Sequence, residues 1–118
     1  MVRFEGIVEA ILEGDALATR NLVQEWMSEP QATRDVVKPA TGDPLRLALA
    51  ASLMELFAAR LGQAAPAWTQ WIPPLEHPFF PVRASLRMRY LRELCERETP
   101  EPLRKRRIFA PPNYLAFA

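Results

Sequence analysis

The chain has 118 residues, 49% of them hydrophobic, with 15 Lys or Arg against 14 Asp or Glu. That length supports one sizeable core and not two, and the balanced charge is not that of a strongly basic nucleic-acid-coating chain. A single cysteine, Cys95, excludes an intrachain disulfide; the N-terminus lacks the apolar stretch of a signal peptide, and no apolar run approaches the roughly 20 residues that cross a bilayer, so a reducing cytoplasm is expected.

Phe4, Ile7, Val8, Ile11 and Leu12 follow the spacing of a helix with one apolar stripe. Gly14 and Asp15 then read as the end of that helix and the N-cap of the next, whose stripe is Ala16, Thr19, Leu22, Val23, Trp26 and Met27. Residues 1–28 are therefore expected to form a helical hairpin, with no second copy to suggest a repeat array. Residues 29–42 lack any period and read as a surface connection.

The stretch from Asp43 to Leu61 reads as the central core helix. Asp43 is a good N-cap, Pro44 suits the first helical position, and Gly62 supplies a left-handed stop. Leu45, Leu49, Leu53, Leu56 and Phe57 share one face, and Leu47, Met54 and Leu61 make the opposite side apolar too. Only Arg46, Glu55 and Arg60 are charged, so other helices must wrap this one.

After Gly62 the chain changes character, because nine of its twelve prolines lie at or beyond Pro66. The run from Pro66 to Val82 threads Trp68, Trp71, Ile72, Leu75, Phe79 and Phe80 between prolines, which predicts an irregular segment laid over the helical core. An aromatic groove for a ligand is the sharper alternative. From Val82 to Glu98 a helix is predicted, with Ala84, Met88, Leu91 and Cys95 inward, Leu94 beside them, and Arg89–Glu93 and Arg92–Glu96 as outward pairs. Thr99 is expected to cap a short turn leading into Arg104-Lys105-Arg106-Arg107. The tail is apolar, and Ile108, Phe109, Tyr114, Leu115 and Phe117 predict docking onto the body or onto another subunit. The expected fold is thus all-α: a single helical domain over 1–118, a compact bundle of about four to five helices around the central one, with segments 43–98 and 99–118 forming the core helices with the aromatic loop and the basic turn with the tail.

Chemistry-bearing constellations are sparse. His77 stands alone beside Glu76 and Pro78, Cys95 lies on an apolar stripe, and the two do not supply a nucleophile, a base and an orienting group. One histidine and one cysteine without paired spacing do not make a zinc site, and the isolated glycines make no phosphate loop. The expectation is a chain that is not an enzyme, with no catalytic residue, cofactor or metal. The positive charge is concentrated late, since residues 83–118 carry nine Lys or Arg against four Asp or Glu. Arg104 to Arg107 directly before Ile108 and Phe109 could serve phosphates and bases, an acidic protein, or simply the negative end of a helix.

The succession TGDPLRLALAASLMELFAARLG, PAWT, HPFFPVR and ETPEPLRKRRIFAPPNYLAFA resembles a family of small uncharacterised bacterial helical proteins. The resemblance covers residues 41–118 and is most specific at Pro66-Ala67-Trp68, at Pro78-Phe79-Phe80, and at Pro102-Leu103 followed by Arg104, Arg106, Arg107, Ile108 and Phe109. It implies an antitoxin-like partner of a nucleotidyltransferase-like toxin, and it brings no catalytic residues. Some relatives resemble DNA binders with an added helix-turn-helix, for which this chain has no segment before Asp43 beyond the plain hairpin. The resulting expectation is a partner-binding surface built from Trp68, Phe79, Phe80, Arg104, Arg106 and Arg107, aromatics as anchors and arginines as donors. Homo-oligomerisation through the tail is a second use of the same region. The alternatives are a nucleic-acid accessory protein using the basic run and a small-molecule site on the Trp68 to Phe80 segment with His77 facing inward.

Overall fold

The computed structural model describes residues 3–29 and 32–117. Among these are five α-helices: α1 (Phe4–Glu13), α2 (Ala16–Ser28), α3 (Pro44–Leu61), α4 (Arg89–Glu98) and α5 (Glu101–Arg104). Turns of 3-10 helix occupy Thr33–Asp35, Ala67–Trp71 and Arg83–Leu86, and one isolated parallel bridge joins Phe79 to Ile108. The fold is all-α, as the sequence predicts. Met1, Val2 and Ala118, at the ends of the expected hairpin and tail, and Pro30 and Gln31 of the expected connection, lie outside the described residues.

The helix ends follow local chemistry. Asp15 accepts from the Ala18 N–H at 2.9 Å, and Asp43 accepts from the Leu45 N–H at 3.1 Å. Gly14 and Gly62 take left-handed φ values of 75° and 67° and close α1 and α3. In both, the next residue's N–H reaches back a full turn: Asp15 to the Ala10 carbonyl and Gln63 to that of Ala58.

The core is built on α3. Ala48, Leu49, Leu53, Met54 and Phe57 are fully buried along it, and α1, α5 and the turns at Thr33–Asp35 and Ala67–Trp71 lie against it. The hairpin contributes Phe4 and Trp26, whose rings meet Phe57 at centroid distances of 6.2 and 5.4 Å and each other at 5.6 Å. Arg46 of α3 ties the hairpin on by donating to Glu9 of α1 at 2.5 Å. Thr33 holds the connection to the end of α3, its hydroxyl donating to the Ala64 carbonyl at 2.6 Å.

Two expectations need correction. Residues 82–98 are not one helix: Arg83–Leu86 is a 3-10 turn, Met88 is extended, and α4 starts at Arg89. The physical reason is Arg92, which turns back to donate to the Ser85 and Leu86 carbonyls at 3.4 and 2.8 Å, satisfying groups that a continuous helix would have paired with its own N–H donors. Met88 consequently points outward, 58% exposed, and the Arg92–Glu96 pair is replaced by these backbone bonds, whereas Arg89–Glu93 forms at 3.0 Å. Thr99 is not the cap of α5 either. Its hydroxyl donates to the Cys95 carbonyl and accepts from the Ala110 N–H at 3.3 Å, so it clips the tail to the end of α4.

The tail docks in cis. Ile108 and Ala110 are fully buried and Tyr114 and Leu115 nearly so. Its first residues run beside the aromatic segment, with the Phe79 N–H donating to the Arg107 carbonyl and the Phe109 N–H to the Phe79 carbonyl, both at 2.9 Å.

Candidate functional site

The basic run does not form a continuous patch, because it is wound into the C-terminus of α5. Arg107 adopts a left-handed φ of 64°, and the Ile108 N–H reaches back to the Leu103 carbonyl at 3.0 Å. The turn sends its cations in different directions. Arg104 is exposed and donates to the Arg97 carbonyl at the end of α4 at 2.7 Å. Lys105 pairs with Glu55 at 2.9 Å, and Arg107, also exposed, donates to the Glu76 carbonyl at 2.8 Å.

Arg106 is 2% exposed. Its guanidinium donates to Glu55 at 2.5 Å, to the Thr69 carbonyl at 2.6 Å, to the Ile72 carbonyl at 3.2 Å and to the Pro102 carbonyl at 3.3 Å. The expectation that Arg106 presents itself to a partner is therefore corrected: its donors are spent inside the chain. Burial works to raise the Glu55 carboxyl, but hydrogen bonds from Arg106 and Lys105 outweigh it and hold the group below the usual carboxylate range.

The aromatic candidates also separate. Trp68 is half-buried, and its indole N–H donates to the Val36 carbonyl at 2.8 Å, so it fastens the connection over the core. Phe79 and Phe80 stay together, half-buried, with the Phe80 ring 5.5 Å from that of Phe109. They line a groove of about 550 Å³ with Ile11, Leu12, Pro78 and Pro81 on its apolar wall and Leu86, Arg83 and Arg87 beside it. Among the described residues no carboxylate lines it. His77 is exposed and does not line it, so a ligand site with His77 facing into the Phe79 and Phe80 groove is not what forms.

Sequence reasoning missed the arginines of this groove and the apolar residues beyond it. Leu86, Met88 and Tyr90 are 52, 58 and 85% exposed, alternating along the chain with Arg87 and Arg89. The break before Arg89 is what exposes Met88, and the apolar spacing of residues 82–98 carries no sign of that break. Arg83 was invisible as a site residue because its position depends on a distant segment: it donates to the Leu12 carbonyl at the end of α1 at 3.1 Å, a cation placed at the negative end of a helix dipole.

The remaining chemistry-bearing groups are held apart from water or from one another. Cys95 is fully buried, and desolvation pushes its thiol up, away from the reactive thiolate. Among the described residues no cluster of three or more His, Cys, Asp or Glu could hold a metal ion, and no helix is long and apolar enough to cross a membrane. Compared with protein-family models, with curated proteins and with solved structures, the chain matches none.

Proposed function

We propose that this chain is a non-catalytic binding protein of the bacterial cytoplasm, an antitoxin-like regulator whose partner is a toxin enzyme. The observation that carries the binding reading is the Phe79 and Phe80 groove, lined also by Arg83, Arg87 and the exposed Leu86, with exposed Met88 and Tyr90 following Leu86 in the chain. Aromatic anchors flanked by arginines are the composition of interface hot spots, and truncating such anchors costs about 2 kcal/mol or more each. The sequence resemblance supplies the antitoxin-like element. Phe79, Phe80 and Arg107 stay in the proposed surface, Arg83, Leu86, Arg87 and Tyr90 join it, and Trp68, Arg106 and Arg104, which is turned to the Arg97 carbonyl, leave it.

A second reading rests on a different observation. Arg92, Arg104 and Arg107 donate to backbone carbonyls and not to carboxylates, so their charge reaches the surface unneutralised and could serve a nucleic-acid backbone. The exposed apolar residues favour a protein.

The test is affinity capture from the native bacterium with the wild-type chain and with a Leu86→Asp, Tyr90→Asp double variant, each with and without nuclease. Both positions are exposed, so the variant should keep the wild-type melting temperature. A stoichiometric toxin-like protein that survives nuclease and is lost by the variant is the expected result. Nucleic acid without a stoichiometric protein would sink the leading reading in favour of the second.

A further inference from the structure

A second concavity lies on the other side of Arg83. It has a volume of about 500 Å³ and is walled by the corner between α1 and α2, by Pro81 to Ala84, and by the tail residues Tyr114, Leu115 and Phe117. Such a size falls within the roughly 300–1,000 Å³ of small-molecule sites, which combine an apolar lining with a few placed polar groups. Most of the wall here is apolar or small. The polar side chains are those of Thr19, Arg20, Arg83 and Tyr114, and among the described residues no carboxylate lines the space. Asp15, between the lining residues Gly14 and Ala16, is engaged by the Ala18 N–H at 2.9 Å.

The two cations are held by the groove itself. Arg20 lies over the Phe117 ring, its guanidinium carbon 5.7 Å from the centroid, an arrangement that occupies a face of the guanidinium and leaves the N–H groups at its edge available. Arg83 spends a donor on the Leu12 carbonyl and keeps others. Gly14 makes the close approach of Arg83 feasible, because a Cβ there would stand 2.5 Å from the Arg83 guanidinium carbon. Burial pushes the Tyr114 hydroxyl up, so it remains a neutral donor.

From this arrangement we infer that the groove between the hairpin corner and the tail binds a small amphipathic carboxylate, its apolar body against Ile11, Val82 and Leu115 and its head on Arg20 and Arg83. A carboxylate matches the planar fork of an arginine, and a wall with two arginines and, among the described residues, no carboxylate favours an anion over a neutral or cationic ligand of the same shape. This groove adjoins the partner surface proposed above and shares Ile11, Pro81 and Arg83 with it, but its ligand and its test are its own.

The probe is decanoate, titrated calorimetrically into the full chain below its micelle-forming concentration, with decanol as the uncharged comparison. Saturable one-to-one binding of decanoate, at least about ten-fold tighter than decanol, is expected. Arg20→Gln, which leaves Arg83 in place, should narrow the preference for decanoate over decanol several-fold, while Ala16→Trp, at an exposed position on the groove wall, should fill the space and remove both. Each variant's melting temperature serves as the control for folding. Absence of saturable decanoate binding, equal binding of decanol, or wild-type affinity in a folded Ala16→Trp variant would each overturn the assignment.

Discussion

Arg104, Lys105, Arg106 and Arg107 have like charge and meet unlike surroundings. Arg106 alone is enclosed, and its four protein acceptors join α3, α5 and the aromatic segment at one point. Removing Arg106 takes one of two cations from Glu55 and leaves the Thr69 and Ile72 carbonyls without its donors, so Arg106→Ala should lower stability by about 3–5 kcal/mol, measured by denaturant unfolding. Arg104→Ala and Arg107→Ala, at exposed positions, should each cost about 1 kcal/mol or less. Equal effects at the three sites would refute this division. The same cluster sets a pH dependence. Glu55 ionises in the fold below its ordinary value of 4.5, so its contribution is fully present above that value and is lost as pH falls through the lower, folded value. Unfolding followed from pH 7 down to pH 3 should therefore show a flatter acid loss in Glu55→Gln than in the wild type.

At the scale of elements, the chain closes its helices by means visible in the sequence and then uses arginines on the carbonyls that remain. Arg83, Arg92 and Arg104 each donate to carbonyls at the end of a helix or turn in place of a carboxylate. Gly14 sits where both devices meet. Gly14→Ala would combine an unfavourable left-handed φ with a collision against Arg83, whereas Gly62→Ala meets nothing within 4 Å. The first should cost more than the second, by about 1–3 kcal/mol against about 1–2, and should weaken decanoate binding as the Arg83 guanidinium is displaced. Similar stabilities for the two variants would show that Arg83 moves aside without loss. The 82–98 stretch shows the limit of periodic reading. Its apolar spacing suits a helix, but Arg92 takes the Ser85 and Leu86 carbonyls, and the resulting break turns Met88 from core to surface.

For the molecule as a whole, the tail is part of the core and also a wall of the second groove. Tyr114 and Leu115 are each 8% exposed, and burial of side chains of this size contributes about 1.5–3 kcal/mol apiece. Truncation after Pro112 should therefore lower unfolding stability by roughly 3–6 kcal/mol and abolish decanoate binding. Retained stability would mean that the tail contributes little to the body it covers.

The sequence by itself determined the local part of this structure: the hairpin, the caps at Asp15 and Asp43, the glycine stops, and a central helix apolar on most sides. These depend on residues within a turn of one another, so periodicity and cap chemistry suffice to read them. It also marked Phe79 and Phe80 as partners in one surface. Only the tertiary structure decided that Arg106 turns inward to Glu55, 51 residues away, and that Trp68 is committed to Val36, 32 residues away. It likewise decided that Arg83 and Arg20 stand at grooves that no local pattern announces. A side chain's charge is written in the sequence, but whether water, a carboxylate or a carbonyl answers that charge depends on what distant segments bring beside it, because desolvation and hydrogen bonding act through space.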